Sequence, residues 1–209
     1  MARQIDGGQE EVSRTASIAR KTGETDVSLE LALDGKGQGS RSTGVGFLDH
    51  MLDLFARHGN FDLTVEASGD LETGAHHTVE DVGIVLGQAF DEGLGDRSGI
   101  RRYATATIPM DEARATCSID ISGRPFVAFA SGELQPVMIG DFDSELLEEF
   151  LRAFANNANL TLHLSIEAGT NAHHMVEAAF KALARALRVA VSIDPDQEGI
   201  PSTKGTLTS

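Results

Sequence analysis

The sequence predicts an α+β fold built from two similar halves. Three observations carry that prediction. A short motif occurs twice, as His76-His77-Thr78-Val79-Glu80 and His173-His174-Met175-Val176-Glu177, at a spacing of 97 residues. The segments upstream of the two copies match in register. The remaining chain contains runs that alternate polar and apolar residues, joined by turns rich in Gly, Asp and Glu.

The motif is the chemical signal. On a helix, His76 and Glu80 are four apart and share a face, as do His173 and Glu177. The second histidine of each pair is rotated by roughly 100° about the axis. One helix therefore does not aim all three groups at one ion, whereas two such helices facing each other would bind two. A single His pair at a helix start is ordinarily a cap or surface polarity; the second copy is what points to metal. Imidazole with carboxylate suits Mn, Fe, Co, Ni or Zn better than Ca or Mg. The order His-Glu-x-x-His is absent, so a zinc-peptidase helix is not expected.

The upstream register extends the repeat. Aligning Phe61 with Leu160, an offset of 99, puts Leu48 on Leu147, Leu52 on Leu151 and Phe55 on Phe154. Two residues are lost in the loop before the second motif. Each half then reads helix, strand, loop, motif helix. The same register puts His50 on Glu149. Both residue types ligate metals, and both have ordinary alternatives: a buried hydrogen-bonded histidine, and a solvated face shared with Glu145 and Glu148. The duplication favours the metal reading for each.

Residues 1–12 read as a flexible tail. Ser13–Arg20 and Asp26–Leu33 form a hairpin across Lys21–Thr25. A short strand near Arg41–Thr43 follows a Gly-rich turn. Phe47–Arg57 is a helix and Phe61–Ala67 a strand. Ser68–Gly74 is a loop, and Thr78–Leu94 continues the first motif helix, with Gly83 and Gly87 allowing close packing. Arg102–Met110, Ala113–Ser122 and Phe126–Ser131 are strands. Ser144–Asn156 is a helix, Thr161–Ala168 a strand and Val176–Val191 the second motif helix. Residues 193–209 are loop, punctuated by Pro195, Pro201 and Gly205. The expected organisation is the 1–12 tail, halves over about 13–97 and 98–192, and a C-terminal loop over 193–209.

With 209 residues and 41% hydrophobic content, the chain can bury a substantial core. The single cysteine, Cys117, excludes an intramolecular disulfide and sits in an alternating run as a small apolar residue. The formal charge of −15 argues against a nucleic-acid partner. No apolar stretch approaches a signal peptide or a membrane span. The cytoplasm is the expected compartment.

Several segments together resemble the imidazoleglycerol-phosphate dehydratase family. They are Arg20–Thr25, Thr43-Gly44-Val45-Gly46-Phe47-Leu48-Asp49-His50-Met51-Leu52, both double-histidine motifs, Gly99–Tyr103, Pro109–Ala113 and Pro201-Ser202-Thr203-Lys204-Gly205. The resemblance spans about residues 13–207. It implies a fold of duplicated half-domains, each a four-stranded sheet with two helices packed on it. It implies dehydration of D-erythro-imidazole glycerol phosphate to imidazole acetol phosphate in histidine biosynthesis. It also implies two Mn²⁺ per active site and a homo-oligomer of 24 subunits with sites at the interfaces. The family's metal ligands fall on His50, His76, His77, Glu80, His173, His174 and Glu177, with Glu149 at a further ligand position. Its phosphate-binding group falls on Arg102, Arg124, Ser202 and Lys204, with His58 as helper, and its substrate-contacting glutamate on Glu24. Arg forks and a Lys charge suit a phosphate dianion. Arg97 and Arg101 are left as surface or oligomer contacts.

The reaction needs an electron reservoir, because the carbon that loses its proton has no adjacent carbonyl. Two cations on the imidazole favour imidazolate, as metals lower the pKa of bound water. Imidazolate expels the hydroxyl of the ring-attached carbon, a base removes the neighbouring proton, and the enol becomes the ketone. Glu24 is the expected acid–base; a metal-bound water, Glu80 or Glu177 are the alternatives. Two other readings share the ligand set: a dinuclear phosphate-ester hydrolase and a metal-stapled shell without turnover. The Pro201–Gly205 segment argues against the staple, which needs no phosphate anchor.

Overall fold

The structure, a computed structural model, describes residues 14–207. The tail expected over 1–12 lies outside them. The element order is β1 (Thr15–Lys21), β2 (Thr25–Ala32), β3 (Arg41–Ser42), α1 (Gly46–Gly59), β4 (Asp62–Gly69), α2 (His76–Leu94), β5 (Tyr103–Met110), β6 (Ala113–Asp120), β7 (Phe126–Ala130), β8 (Met138–Ile139), β9 (Phe142–Asp143), α3 (Leu146–Asn157), β10 (Thr161–Ala168) and α4 (Ala172–Ala190). A 3₁₀ turn, Leu71–Thr73, precedes α2.

The strands form two four-stranded sheets, ordered β1-β2-β4-β3 and β5-β6-β10-β7, and β8 pairs with β9 in a small ribbon. In each large sheet the first three strands are antiparallel and the last is parallel to its neighbour. The two halves thus have one topology: an internally duplicated α+β fold.

Alternation explains the strands. β2 reads Thr-Asp-Val-Ser-Leu-Glu-Leu-Ala, and Val27, Leu29 and Leu31 are buried while Asp26, Ser28 and Glu30 are exposed. Helical periodicity explains α1, which buries Phe47, Leu48, Met51, Leu52, Phe55 and Ala56 at positions spaced for one face. Within the chain, α2 packs on α3 and α4 packs on α1, while each also covers its own sheet. Each motif helix therefore meets the first helix of the other half.

Glycine sets the closeness of one pair. A Cβ on Gly83 would lie 2.9 Å from the Cβ of Ala153, and one on Gly87 only 2.5 Å from the Phe154 carbonyl oxygen. At the centre, Phe55, Phe61, Phe90 and Phe154 form edge-on and tilted contacts. Phe55 and Phe154, equivalent in the repeat, touch each other at 6.3 Å between ring centroids.

Cys117 is fully buried, and burial pushes its thiol pKa up, in keeping with a packing role. Arg97 corrects the expectation of a surface contact. It is 2% exposed, and its guanidinium donates to Asp91 and to the Leu207 carbonyl. It thereby ties the end of the C-terminal loop to the body. Among the described residues no helix is long and apolar enough to cross a membrane.

Candidate metal centre and phosphate cleft

Three of the expected ligands converge in one chain. His50 from α1 and His173 and Glu177 from α4 place one ligand atom each within 4.8 Å of the others. Glu177 Oε2 lies 3.2 Å from His173 Nε2 and 3.7 Å from His50 Nε2. The second carboxylate oxygen is taken by Lys181 Nζ at 2.6 Å, one helical turn on. Lys181 thereby fixes which oxygen faces the histidines. Burial alone would raise the Glu177 carboxyl, but the Lys181 ammonium and the two histidines hold it below its ordinary value. A nearly buried carboxylate between two imidazoles is a mixed N/O donor set that fits a first-row transition ion.

Helix α4 is built to hold this geometry. The Asn171 side chain caps it, accepting from the amides of His173 and His174. Phe47 packs edge-on against His173, with ring centroids 5.0 Å apart.

The equivalent donors of the other half do not converge as tightly. His76 and Glu149 line one cleft of about 660 Å³ with Leu71, Met138, Asp141 and Leu146. Glu80 does not line that cleft. Helix α2 begins at Ala75 without a side-chain cap.

The second histidine of each motif stands apart from the converged cluster, against carboxylates. His77 Nδ1 is 3.0 Å from Asp70, and His174 Nδ1 is 2.7 Å from Glu112. An ionised carboxylate only accepts, so each Nδ1 carries a proton, and in the neutral ring each Nε2 keeps a lone pair. These contacts raise both histidine pKa values. His174, then the amides of Asn171 and Thr170, hold the Glu112 carboxyl down to about 2.

Glu24 sits in the β1–β2 turn, with Oε1 3.8 Å from His77 Nε2. The turn is anchored from below. Buried Asp81 of α2 accepts from Arg20 Nε at 2.9 Å and from the Thr25 hydroxyl. Asp70 N–H also donates to the Glu24 carbonyl at 3.1 Å. The Glu24 carboxylate stays largely exposed.

Arg102, Arg124, Ser202 and Lys204 line a second cleft, of about 780 Å³, beside Tyr103 and Pro201. Arg102 adopts a left-handed φ of 71°. Its guanidinium is held by Asp120 at 2.7 Å, donates to the Pro201 carbonyl at 2.8 Å and lies 4.5 Å above the Tyr103 ring. Ser202 Oγ accepts from the Lys204 amide at 3.2 Å, closing a small turn. His58 does not line this cleft. It lies near Lys181 and Arg185, and burial, then those two cations, lowers its pKa.

The structure thus groups His50, His173 and Glu177, His76 with Glu149, Glu24 with His77, and Arg102 with Arg124, Ser202 and Lys204. It keeps His58 with α4 and leaves Glu80 outside the first cleft. Sequence reading missed Lys181, Asp70 and Glu112. Lys181 carried a legible signal, since it follows Glu177 by one turn. Glu112 lay within the Pro109–Ala113 segment of the family resemblance without a role attached to it, and Asp70 carried no signal, since it reaches its histidine only through the fold of a turn.

Comparison with known proteins identifies the family. The family model described as Imidazoleglycerol-phosphate dehydratase matches residues 43–187. The imidazoleglycerol-phosphate dehydratase of Methylorubrum extorquens is 57% identical over 195 residues, covering 93% of this chain and 100% of that protein. That of Azorhizobium caulinodans is 58% identical over 195 residues, covering 93% and 98%. Among solved structures, the Staphylococcus aureus enzyme superposes with a TM-score of 0.78 at 42% identity, covering 86% of this chain and 99% of that one. The Pyrococcus furiosus enzyme superposes with a TM-score of 0.78 at 38% identity, covering 91% and 100%. The chain belongs to the imidazoleglycerol-phosphate dehydratase family, hydro-lyases of histidine biosynthesis.

Proposed function

We propose that this dehydration runs at a dinuclear manganese centre whose ligands are His50, His76, His77, Glu80, Glu149, His173, His174 and Glu177. The observation that carries the reading is the convergence of His50, His173 and Glu177, with Lys181 holding the spare carboxylate oxygen. Its mixed imidazole and carboxylate donors fit manganese. Two cations supply an electron sink for the substrate imidazole by acidifying its N–H.

The chain's own residues then divide the work. Arg124 and Lys204 bring positive charge to the phosphate, with the Ser202 hydroxyl beside them. Arg102, pinned by Asp120 and Pro201, shapes that cleft. Orienting the substrate this way converts phosphate binding into alignment of the reacting carbons. Glu24 gives a proton to the departing hydroxyl of the ring-attached carbon, so that water leaves. It then recovers a proton from the neighbouring hydroxyl-bearing carbon, next to the phosphate-bearing carbon. The enol that remains tautomerises to the ketone. Glu24 suits this work because its carboxylate is exposed, held by its turn and next to His77.

The same reading makes the protein a large homo-oligomer, a shell of 24 subunits, working in the cytoplasm. Support for self-association comes from the site itself. His77 and His174 present their Nε2 atoms outside the converged cluster of their own chain, and the phosphate cleft shares no residue with that cluster. A second copy completes both.

The experiment is turnover of imidazole glycerol phosphate by chelated protein, with and without Mn(II), reading imidazole acetol phosphate and free phosphate together. Manganese-dependent ketone without free phosphate is expected. Free phosphate would indicate ester hydrolysis instead, and ketone from metal-free protein would remove the metal from the mechanism.

A further inference from the structure

The two hairpin turns of the duplicated fold carry equivalent glutamates with different surroundings. Val65 of β4 falls on Leu164 of β10 in the repeat. Leu29 of β2 pairs with Val65, and Cys117 of β6 pairs with Leu164. Counting back along both strands puts Glu24 on Glu112. Glu24 leaves its own His77 Nδ1 to Asp70 and faces Nε2 instead. Glu112 itself occupies His174 Nδ1, at 2.7 Å.

The loop after the sheet explains the difference. Asp70 is the first residue after β4, and the first residue after β10 is Gly169. Gly169 has a φ of 150°, and a Cβ there would lie 2.4 Å from Met175 Cγ. Past β10, whose register shifts between Ile166 and Ala168, the loop Gly169–Asn171 holds no carboxylate to do what Asp70 does. The glutamate of the second hairpin takes over the task, and its other oxygen accepts from the amides of Thr170 and Asn171, at 3.2 and 2.8 Å.

We propose that Glu112 is a positioning residue that holds His174 in the Nδ1–H tautomer with Nε2 free for metal, and that Asp70 does the same for His77 and so leaves Glu24 available for proton transfer. This rests on the metal reading above. Outer partners of ligating histidines fix tautomer and ring direction. The two turns carry equivalent glutamates, and the loop after each sheet separates their roles.

The geometry makes an unusual ordering of variants. In Glu112→Gln, the two backbone amides demand the carbonyl oxygen, so the NH₂ group faces His174 Nδ1. That amide donates, which forces the proton onto Nε2 and blocks the ligand atom. Glu112→Ala removes the partner without imposing the wrong tautomer. A merely structural role predicts the reverse order, because Gln keeps the volume and the backbone contacts that Ala loses.

The test is titration of metal-stripped, full-length protein with Mn(II), following free manganese by electron paramagnetic resonance, with turnover at saturating metal measured alongside. Glu112→Gln is expected to weaken manganese binding about 10–100-fold, and more than Glu112→Ala does. Asp70→Ala removes the partner of His77, in a loop away from the α4 start, and is expected to weaken manganese binding too. Glu24→Gln is expected to keep wild-type affinity while losing turnover. The proposal is overturned if Ala is the more damaging change, or if Glu112→Gln binds manganese normally and loses turnover as Glu24→Gln does. Wild-type protein that takes up no manganese would overturn the metal reading itself, a result distinct from normal uptake by wild type and variants alike.

Discussion

The two motif helices share a sequence pattern but begin differently. Helix α4 starts on the Asn171 cap, with Glu112 bonded to the amides ahead of it and Lys181 fixing Glu177. Helix α2 starts at Ala75 with no side-chain cap, and the residue equivalent to Lys181 is Ile84. At α4 the donors already converge. At α2 only His76 lines a cleft with Glu149, and the exposed Glu24 carboxylate stands beside His77. The contrast separates the two halves: in one, imidazole and carboxylate donors are gathered and held, and in the other an exposed carboxylate stands beside a histidine.

The largest test of that division is Glu24→Gln. It should lower kcat by about 10²–10⁴ with metal content unchanged, measured by steady-state kinetics and metal analysis of the same sample. Next is the comparison of Glu177→Ala with Glu80→Ala in a manganese titration. Removing Glu177 takes away a carboxylate shared by two histidines, so it should weaken the tighter sites by about 100-fold or more. Removing Glu80 should affect the weaker ones. Equal effects would mean that the convergence at α4 does not govern affinity.

Packing gives the next contrast. Gly87 on α2 is equivalent to Ala184 on α4, so only the α2–α3 contact requires the missing Cβ. Gly87→Ala should cost about 1–3 kcal/mol by overpacking, seen as a lower melting temperature. Asn171→Ala should cost about 1 kcal/mol through the lost cap, with no matching cap to remove at Ala75.

The smallest effect concerns the turn before β3. Asp62 Oδ1 accepts from the amides of Lys36 and Gln38, at 2.7 and 2.8 Å, and these bonds hold its carboxyl below the ordinary value despite partial burial. A depressed carboxyl stabilises the folded state above its unfolded pKa, about 3.9. That contribution is lost as pH falls through the lower folded value. Asp62→Asn keeps an acceptor and should cost less than about 1 kcal/mol at neutral pH. The difference from wild type should close in acid, followed by thermal melts across pH.

Much of this was legible in the sequence, for physical reasons. The paired motifs and the Leu48/Leu147, Leu52/Leu151 and Phe55/Phe154 register reflect one fold used twice, and all six of those residues are buried. Strand β10 was readable to its ends because its apolar residues alternate up to the Gly169 that follows. The β8–β9 ribbon was not, since two-residue strands have no period to detect. Which helices pair was also hidden: His50 and Glu149 are equivalent in the repeat, yet each meets the motif helix of the opposite half. Arg97 looked like surface because its charge is satisfied by Asp91 and by a carbonyl 110 positions away. The grouping of Arg102, Arg124, Ser202 and Lys204 came through family resemblance, because no periodicity connects a strand end with a C-terminal loop.

The most direct test of the dinuclear centre is turnover of metal-stripped protein against equivalents of added Mn(II), with bound metal counted at each step. Two bound ions per subunit should accompany full activity, with little ketone formed until the second, weaker class of site fills. Full turnover at one ion per subunit, or in its absence, would contradict the division of work between the two halves.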